Sequence, residues 1–143
     1  MATRWPAEAI SFSARRWAEG RALVATGSPF PLMQVGDASP PVAQCSNVCI
    51  FPGVGLAVTA VRAARVTDAM MTAAAAAVGD AATIRRDPHG TLLPARAQLA
   101  GTAAAVASAV AKAAVADAVA PALTDDQTGQ AINRTRCLPR YQS

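Results

Sequence analysis

Apolar and polar positions follow two different rhythms along this chain. Residues 7–20 interleave Ala9, Ile10, Phe12 and Ala14 with Glu8, Arg15, Arg16 and Glu19, a spacing that predicts a short helix stopped at Gly20. The run ALVAT at 22–26, bounded by Gly20-Arg21 and Gly27-Ser28-Pro29, has no alternation and predicts a fully buried strand of the parallel type. From 27 to 47, Pro29, Pro31, Gly36, Asp37, Ser39, Pro40 and Pro41 exclude a regular helix, because proline lacks the amide donor and restricts its predecessor. A long loop is expected there. VCIFPG at 48–53 predicts a second short extended segment, with Pro52-Gly53 opening a helix that runs to about Ala64.

The second half is helical in pattern. Thr67-Asp68 caps a helix over Asp68 to Val78, stopped at Gly79, and DPHG at 87–90 is a turn. After TLLP, a long helix is expected from Ala95 to Ala120, stopped by Pro121. In it Leu99, Val106 and Val110 share a face while Val115 and Val119 lie nearly opposite. Such a helix is buried on both sides, or its partner changes along its length. Thr124-Asp125-Asp126 caps a last helix ending near Arg134. The most apolar stretch, Ala103 to Leu123, contains Lys112, Asp117 and Pro121, which argues against a membrane span. One or two parallel strands followed by helices do not make a sheet, so the neighbours of those strands are expected upstream.

Composition sharpens this picture. A chain of 143 residues is one domain or a piece of one, and 52% hydrophobic residues exclude a disordered chain. Roughly a quarter of the residues are alanine and only 4% are aromatic, so each buried side chain removes little apolar area and an isolated core is marginal. The net charge of +4 comes from arginines in singles and pairs, with Lys112 the sole lysine. No basic stripe is formed, and nucleic acid is not an expected partner. Cys45, Cys49 and Cys137 are an odd number without a secretory signal pattern, which places free thiols in a reducing, cytoplasmic setting. With only His89 beside them, they do not assemble four zinc ligands.

Candidate chemistry is sparse. Gly53-Val54-Gly55 begins like a dinucleotide loop, but Val58 replaces the third small residue, and the same glycines would also allow close backbone approach. His89 lies between Pro88 and Gly90 in a polar turn with no nucleophile in an elbow motif. Asn47 precedes an apolar run and a helix start, where its amide offers a donor and an acceptor to a ligand; an Asx turn is the other reading.

The strings WAEGRALVATGSPF, AQCSNVCIFPGVGL, RVTDAMMTAAA, TLLP and LPRY, in this order and spacing, resemble the C-terminal part of malic enzymes, from about Glu8 onward. The resemblance implies an α/β fold: a C-terminal fragment of a Rossmann-like NAD(P)-binding domain, mostly helical, with one or two short parallel-type strands. It implies two segments, 1–66 as the end of the cofactor domain and 67–143 as C-terminal helices. It implies oxidative decarboxylation of malate to pyruvate and carbon dioxide, with NAD or NADP and with Mg²⁺ or Mn²⁺. In the family an asparagine before the FPG segment contacts malate and the nicotinamide; this position is Asn47. Most members carry two adjacent asparagines there, and here the pair is Ser46-Asn47. The family's tyrosine acid, lysine base, arginine clamp, metal-binding carboxylates and glycine-rich loop lie upstream of the matched region, so the chain alone is expected to be inactive. The expected partners are a missing N-terminal malic enzyme half and a homo-oligomer, with no membrane. The alternative is a non-catalytic helical interaction module or truncated remnant.

Overall fold

In a computed structural model of the chain, the described residues are 13–19, 21–27, 42–87 and 90–137. The expectations for residues 7–12 and Gly20, most of the long loop, Pro88-His89 and LPRY lie outside them.

Residues 13–17 are helical, and a turn at 18–19 closes through Arg21 N–H donating to Ala18 O at 2.9 Å. Two strands of two residues follow, β1 (Ala25–Thr26) and β2 (Ala43–Gln44). They pair in parallel, Ala25 opposite Ala43 and Thr26 opposite Gln44. The fully buried strand expected over 22–26 is not observed: residues 21–27 alternate between exposed and half-buried, and Leu23 is 52% exposed. Among the described residues β1 has one neighbouring strand, so one of its edges and part of its surface lack the cover a parallel sheet needs.

The extended segment expected over 48–53 is also corrected. Asn47–Cys49 form a 3₁₀ turn and the helix α1 begins at Phe51, running Phe51–Val61. Ser46 explains the change: its Oγ accepts from Val48 N–H, and it starts the turn in an extended conformation. Pro52 stands in the first turn of α1, where its missing amide costs nothing. The helix ends before Ala64 because Arg62 adopts the left-handed region (φ 55°), and Ala63 N–H reaches back to Val58 O at 3.0 Å.

Three more helices complete the described chain: α2 (Asp68–Asp80), α3 (Leu99–Ala116) and α4 (Asp125–Thr135). The caps are where the sequence puts them. Thr67 accepts from Met70 N–H, and Thr124 forms a reciprocal box with Gln127. Gly79 does not stop α2, which passes through it, and α3 ends before Pro121, at a turn with Ala118 at φ 53°. At that turn Val119 N–H bonds to Ala114 O, and Val119 O accepts from Ala64 N–H at 2.8 Å. Thr67 Oγ1 donates to Asp117 Oδ2, tying the start of α2 to the end of α3.

The core is a helix layer. α3 buries Thr102, Val106, Ala107, Val110, Ala111 and Ala114 as one stripe and packs against α1, α2 and α4. Alanines complete the stripe between the valines, so the face is continuous although its large residues do not line up. Val115 is only half-buried, and Val119 enters the core from the turn after the helix. Arg96–Ala116, the 3₁₀ turn plus α3, is long and apolar enough to cross a membrane by length and composition alone, yet this buried stripe faces neighbouring helices. The core cluster takes residues from both sides of residue 66, from Cys49, Val54 and Ala57 to Met70, Val106 and Ile132.

Gly53 sets the closest contact in that layer. A Cβ added there would stand 2.5 Å from Val106 Cβ and 2.7 Å from Ala103 O, whereas Gly55 has nothing within 4 Å. Gly53→Ala is expected to lower the unfolding free energy by about 1–3 kcal/mol through overpacking, and Gly55→Ala to change it by less than about 1 kcal/mol in the stabilising direction. Ala118→Gly should relieve the left-handed strain and raise stability by about 1 kcal/mol. Urea unfolding midpoints at constant m-value check all three.

Candidate functional site

The site residues singled out by the sequence stand where β2 gives way to α1. Cys45 N–H donates to Thr26 O at 2.7 Å, the last ladder bond, so Ser46 and Asn47 lie just beyond the carboxyl end of a parallel strand. In open parallel sheets this is the edge at which ligands bind. The turn itself is closed by Cys49 N–H to Ser46 O and Ile50 N–H to Asn47 O, both at 3.1 Å. Ser46 supplies the local cap, so Asn47 is not needed for an Asx turn. Asn47 is exposed, and among the described residues its side chain makes no hydrogen bond.

Beside this turn runs a groove of about 550 Å³. β2 and Ser46 form one wall, with Val48 and Cys49, and the segment from Thr91 to Leu99 forms the other, including Leu93 and Arg96. Asn47 does not line it. The second wall was not predicted from sequence, where TLLP stands only as the segment before the long helix and as one of the strings of the family resemblance. What holds it is a threonine pair: Thr83 Oγ1 accepts from Thr91 N–H at 2.7 Å, and Ile84 N–H donates to Thr91 O at 3.0 Å. Gly90 makes this possible, because a Cβ there would lie 2.6 Å from the Thr83 carbonyl carbon. The turn before it closes by Gly90 N–H to Asp87 O at 2.8 Å.

Other sequence candidates are resolved by position. Gly53 is buried inside α1 against α3 and Gly55 is in the same helix, so the Gly53-Val54-Gly55 string is a helix-packing feature and not a phosphate loop. Lys112 is exposed and pairs with Asp125 at 2.7 Å across α3 and α4. His89 lies outside the described residues. Cys45 and Cys137 are exposed free thiols, and Cys49 is buried under the turn. Burial pushes the Cys49 thiol up, the neighbouring Cys45 adds to this, and a backbone hydrogen bond with Ser46 opposes it.

The family described as malic enzyme, NAD binding domain, matches residues 4–115, most of the chain and all of the strand-turn-helix unit that carries Ser46 and Asn47. The chain belongs to this malic enzyme family. It is 44% identical over 127 residues to an NAD-dependent malic enzyme of Pseudomonas aeruginosa (strain LESB58), covering 89% of this chain and 22% of that protein. An NAD-dependent malic enzyme of Edwardsiella ictaluri is 45% identical over 128 residues, with 89% and 22% covered. One of Shewanella denitrificans is 39% identical over 135 residues, with 94% and 24% covered. The chain thus spans about a fifth of the length of the curated relatives it matches. The build is mostly helical with two short parallel strands, and the malic enzyme NAD-binding domain to which it belongs is Rossmann-like.

The thiols give a direct check on the turn. At pH 8, Cys45 and Cys137 should react rapidly with a disulfide reagent and Cys49 at least tenfold more slowly, until urea unfolds the chain. Because the Cys49 thiol is raised in the folded state, the unfolded chain deprotonates first as pH rises. Its contribution to stability is therefore complete below the ordinary thiol range and is lost above it. Three equally fast thiols in the native chain would contradict the buried placement.

Proposed function

We propose that this chain is the part of a malic enzyme that supplies the last strands of the cofactor domain, the Ser46-Asn47 turn and the helices that carry them. The reaction is the oxidation of malate to pyruvate and carbon dioxide with NAD, or NADP, as hydride acceptor. The observation that carries this reading is Asn47 itself: exposed at the carboxyl end of β2, with its local capping role taken by Ser46. The family match and the relatives' names as NAD-dependent malic enzymes support the activity class.

The residues present fit one end of the cofactor. A carboxamide beyond a parallel strand donates from Nδ2 and accepts at Oδ1, which suits both the nicotinamide carboxamide and a malate carboxylate. Ser46 adds a shorter hydroxyl on the groove side. NAD or NADP bound there would supply a hydride acceptor for C2 of the 2-hydroxy acid. The contribution of this chain is to orient the reacting carbon and ring by holding their polar substituents, an alignment effect. Residues 1–66 carry this strand-end turn and residues 67–143 carry the helices behind it.

A divalent metal is a different matter. Among the described residues no three of His, Cys, Asp and Glu come together, so these residues do not fit Mg²⁺ or Mn²⁺, and no step is drawn through a metal here. The complete activity therefore needs a complementing N-terminal malic enzyme portion, and a cytoplasmic setting goes with the free thiols. A non-catalytic interaction module is the second reading, favoured by exposed Leu23, Val48 and Phe51.

Purified alone with malate, NAD or NADP and Mn²⁺, the chain is expected to give no malate-dependent absorbance at 340 nm; measurable turnover would overturn the division of labour. Complemented by the N-terminal portion of a relative, it should turn over. Asn47→Ala should then lower kcat by at least about tenfold, some 1.4 kcal/mol of lost orientation, with complex formation unchanged. Unaltered kinetics would remove Asn47 from the site.

A further inference from the structure

Beyond the Ser46 hydroxyl, the proposed function leaves the groove beside the turn without a role. Its volume of about 550 Å³ lies inside the range of about 300–1,000 Å³ found for small-molecule sites. Ser46 and Val48 line it while Asn47, between them, does not, so the groove opens on another face of the turn from the Asn47 amide. Both walls are fixed without an occupant. Behind one, Cys45 N–H closes the ladder on Thr26 O at 2.7 Å; behind the other, Thr91 N–H bonds to Thr83 Oγ1 at 2.7 Å. A cleft already formed in this way asks little ordering of what enters it.

Its bed is apolar. Val48, Cys49, Leu93 and Leu99 line it, and Val48 is exposed. Among the described residues that line the groove, Arg96 alone is charged. It is exposed, and it takes no part in the ion pairs of Arg21, Arg85 and Lys112. Gln44 stands on the opposite wall, its amide likewise without a partner among the described residues. Ser46 Oγ accepts from Val48 N–H, which leaves its own hydrogen to donate elsewhere. The Thr91 hydroxyl differs, because it donates to Leu93 O at 2.6 Å and so serves the wall itself. The groove thus presents one guanidinium and two neutral donors over hydrocarbon.

We propose that this groove binds a small organic monocarboxylate with an apolar body, its carboxylate on Arg96 and its hydrocarbon against Val48, Leu93 and Leu99. A guanidinium holds a carboxylate through two parallel hydrogen bonds, and Gln44 and Ser46 add donors from the facing wall. One cation in the lining matches one negative charge. A phosphate monoester, with about two charges at pH 7, would be left half-neutralised there, and a wholly apolar ligand would cover the guanidinium without pairing it. The occupant touches Ser46 and Val48 on one side and the segment from Thr91 to Leu99 on the other. It therefore ties the residues on either side of Asn47 to the wall that leads into α3. This makes the groove an effector site, whose ligand holds the turn without competing for the Asn47 amide.

Titration calorimetry on the full chain, with hexanoate as the probe, tests the site without any turnover, so its failure leaves the malic enzyme reading standing. Hexanoate is expected to bind at one site, with acetate, hexanol, malate and inorganic phosphate each weaker by about tenfold or more, since each lacks the apolar body or the single charge. Arg96→Gln should weaken hexanoate by about tenfold or more and leave hexanol unchanged, whereas Arg65→Gln, at an exposed arginine outside the lining, changes neither. Circular dichroism checks that both variants keep the native helix content. Saturating hexanoate should also slow the reaction of Cys49 with a disulfide reagent and spare that of Cys137, because Cys49 lines the groove and Cys137 does not. Hexanoate that binds no better than acetate or malate, that binds Arg96→Gln equally well, or that leaves Cys49 unprotected would overturn the site.

Discussion

The approach of α1 to α3 at Gly53 is the contact on which the arrangement depends. With hydrogen as its side chain, this residue lets the first turn of α1 settle against Val106 and the Ala103 carbonyl. The rest of α1 follows, burying Val54, Ala57 and Val61. The Ser46-Asn47 turn is joined to the start of that helix with Cys49 buried beneath it, so helix packing determines where the carboxyl end of β2 can be. A polar turn of this kind usually owes its position to the sheet; here the helix layer supplies it, because the strands contribute two residues each.

The capped helices were legible from single residues. Thr67 and Thr124 act as N-caps, and the residues following them are helical as expected. The ends were less legible for a definite reason. α1 and α3 both terminate in left-handed residues that are not glycine, Arg62 and Ala118, and neither carries a compositional signal. The error at VCIFPG has another cause: the four apolar residues before the proline, Val48 to Phe51, look extended, and only the serine two positions before them reveals that the backbone has already begun to turn. For ALVAT the sequence describes the environment of a complete sheet, whereas residues 21–27 are seen without one.

Of the site, the sequence pattern located Asn47 but left its role open between ligand contact and local turn. In the structure the capping bond goes to Ser46, and the Asn47 side chain is exposed. The groove wall formed by Thr91, Leu93 and Arg96 was not legible, because its link to the rest of the fold is a threonine pair bridging eight residues and a glycine pressed on a peptide group. Such contacts leave no periodic trace. The family match and the geometry meet at one unit, strand to turn to helix, and that unit carries Ser46 beside Asn47.

The alanine stripe of α3 has a consequence for how this layer orders. Ala107, Ala111 and Ala114 have no rotamers to lose when they enter the core, and the valines between them lose few. Docking these helices therefore gains little apolar burial per residue but gives up almost no side-chain entropy. The order of this layer thus comes at small entropic expense, which offsets part of what its small side chains leave unburied.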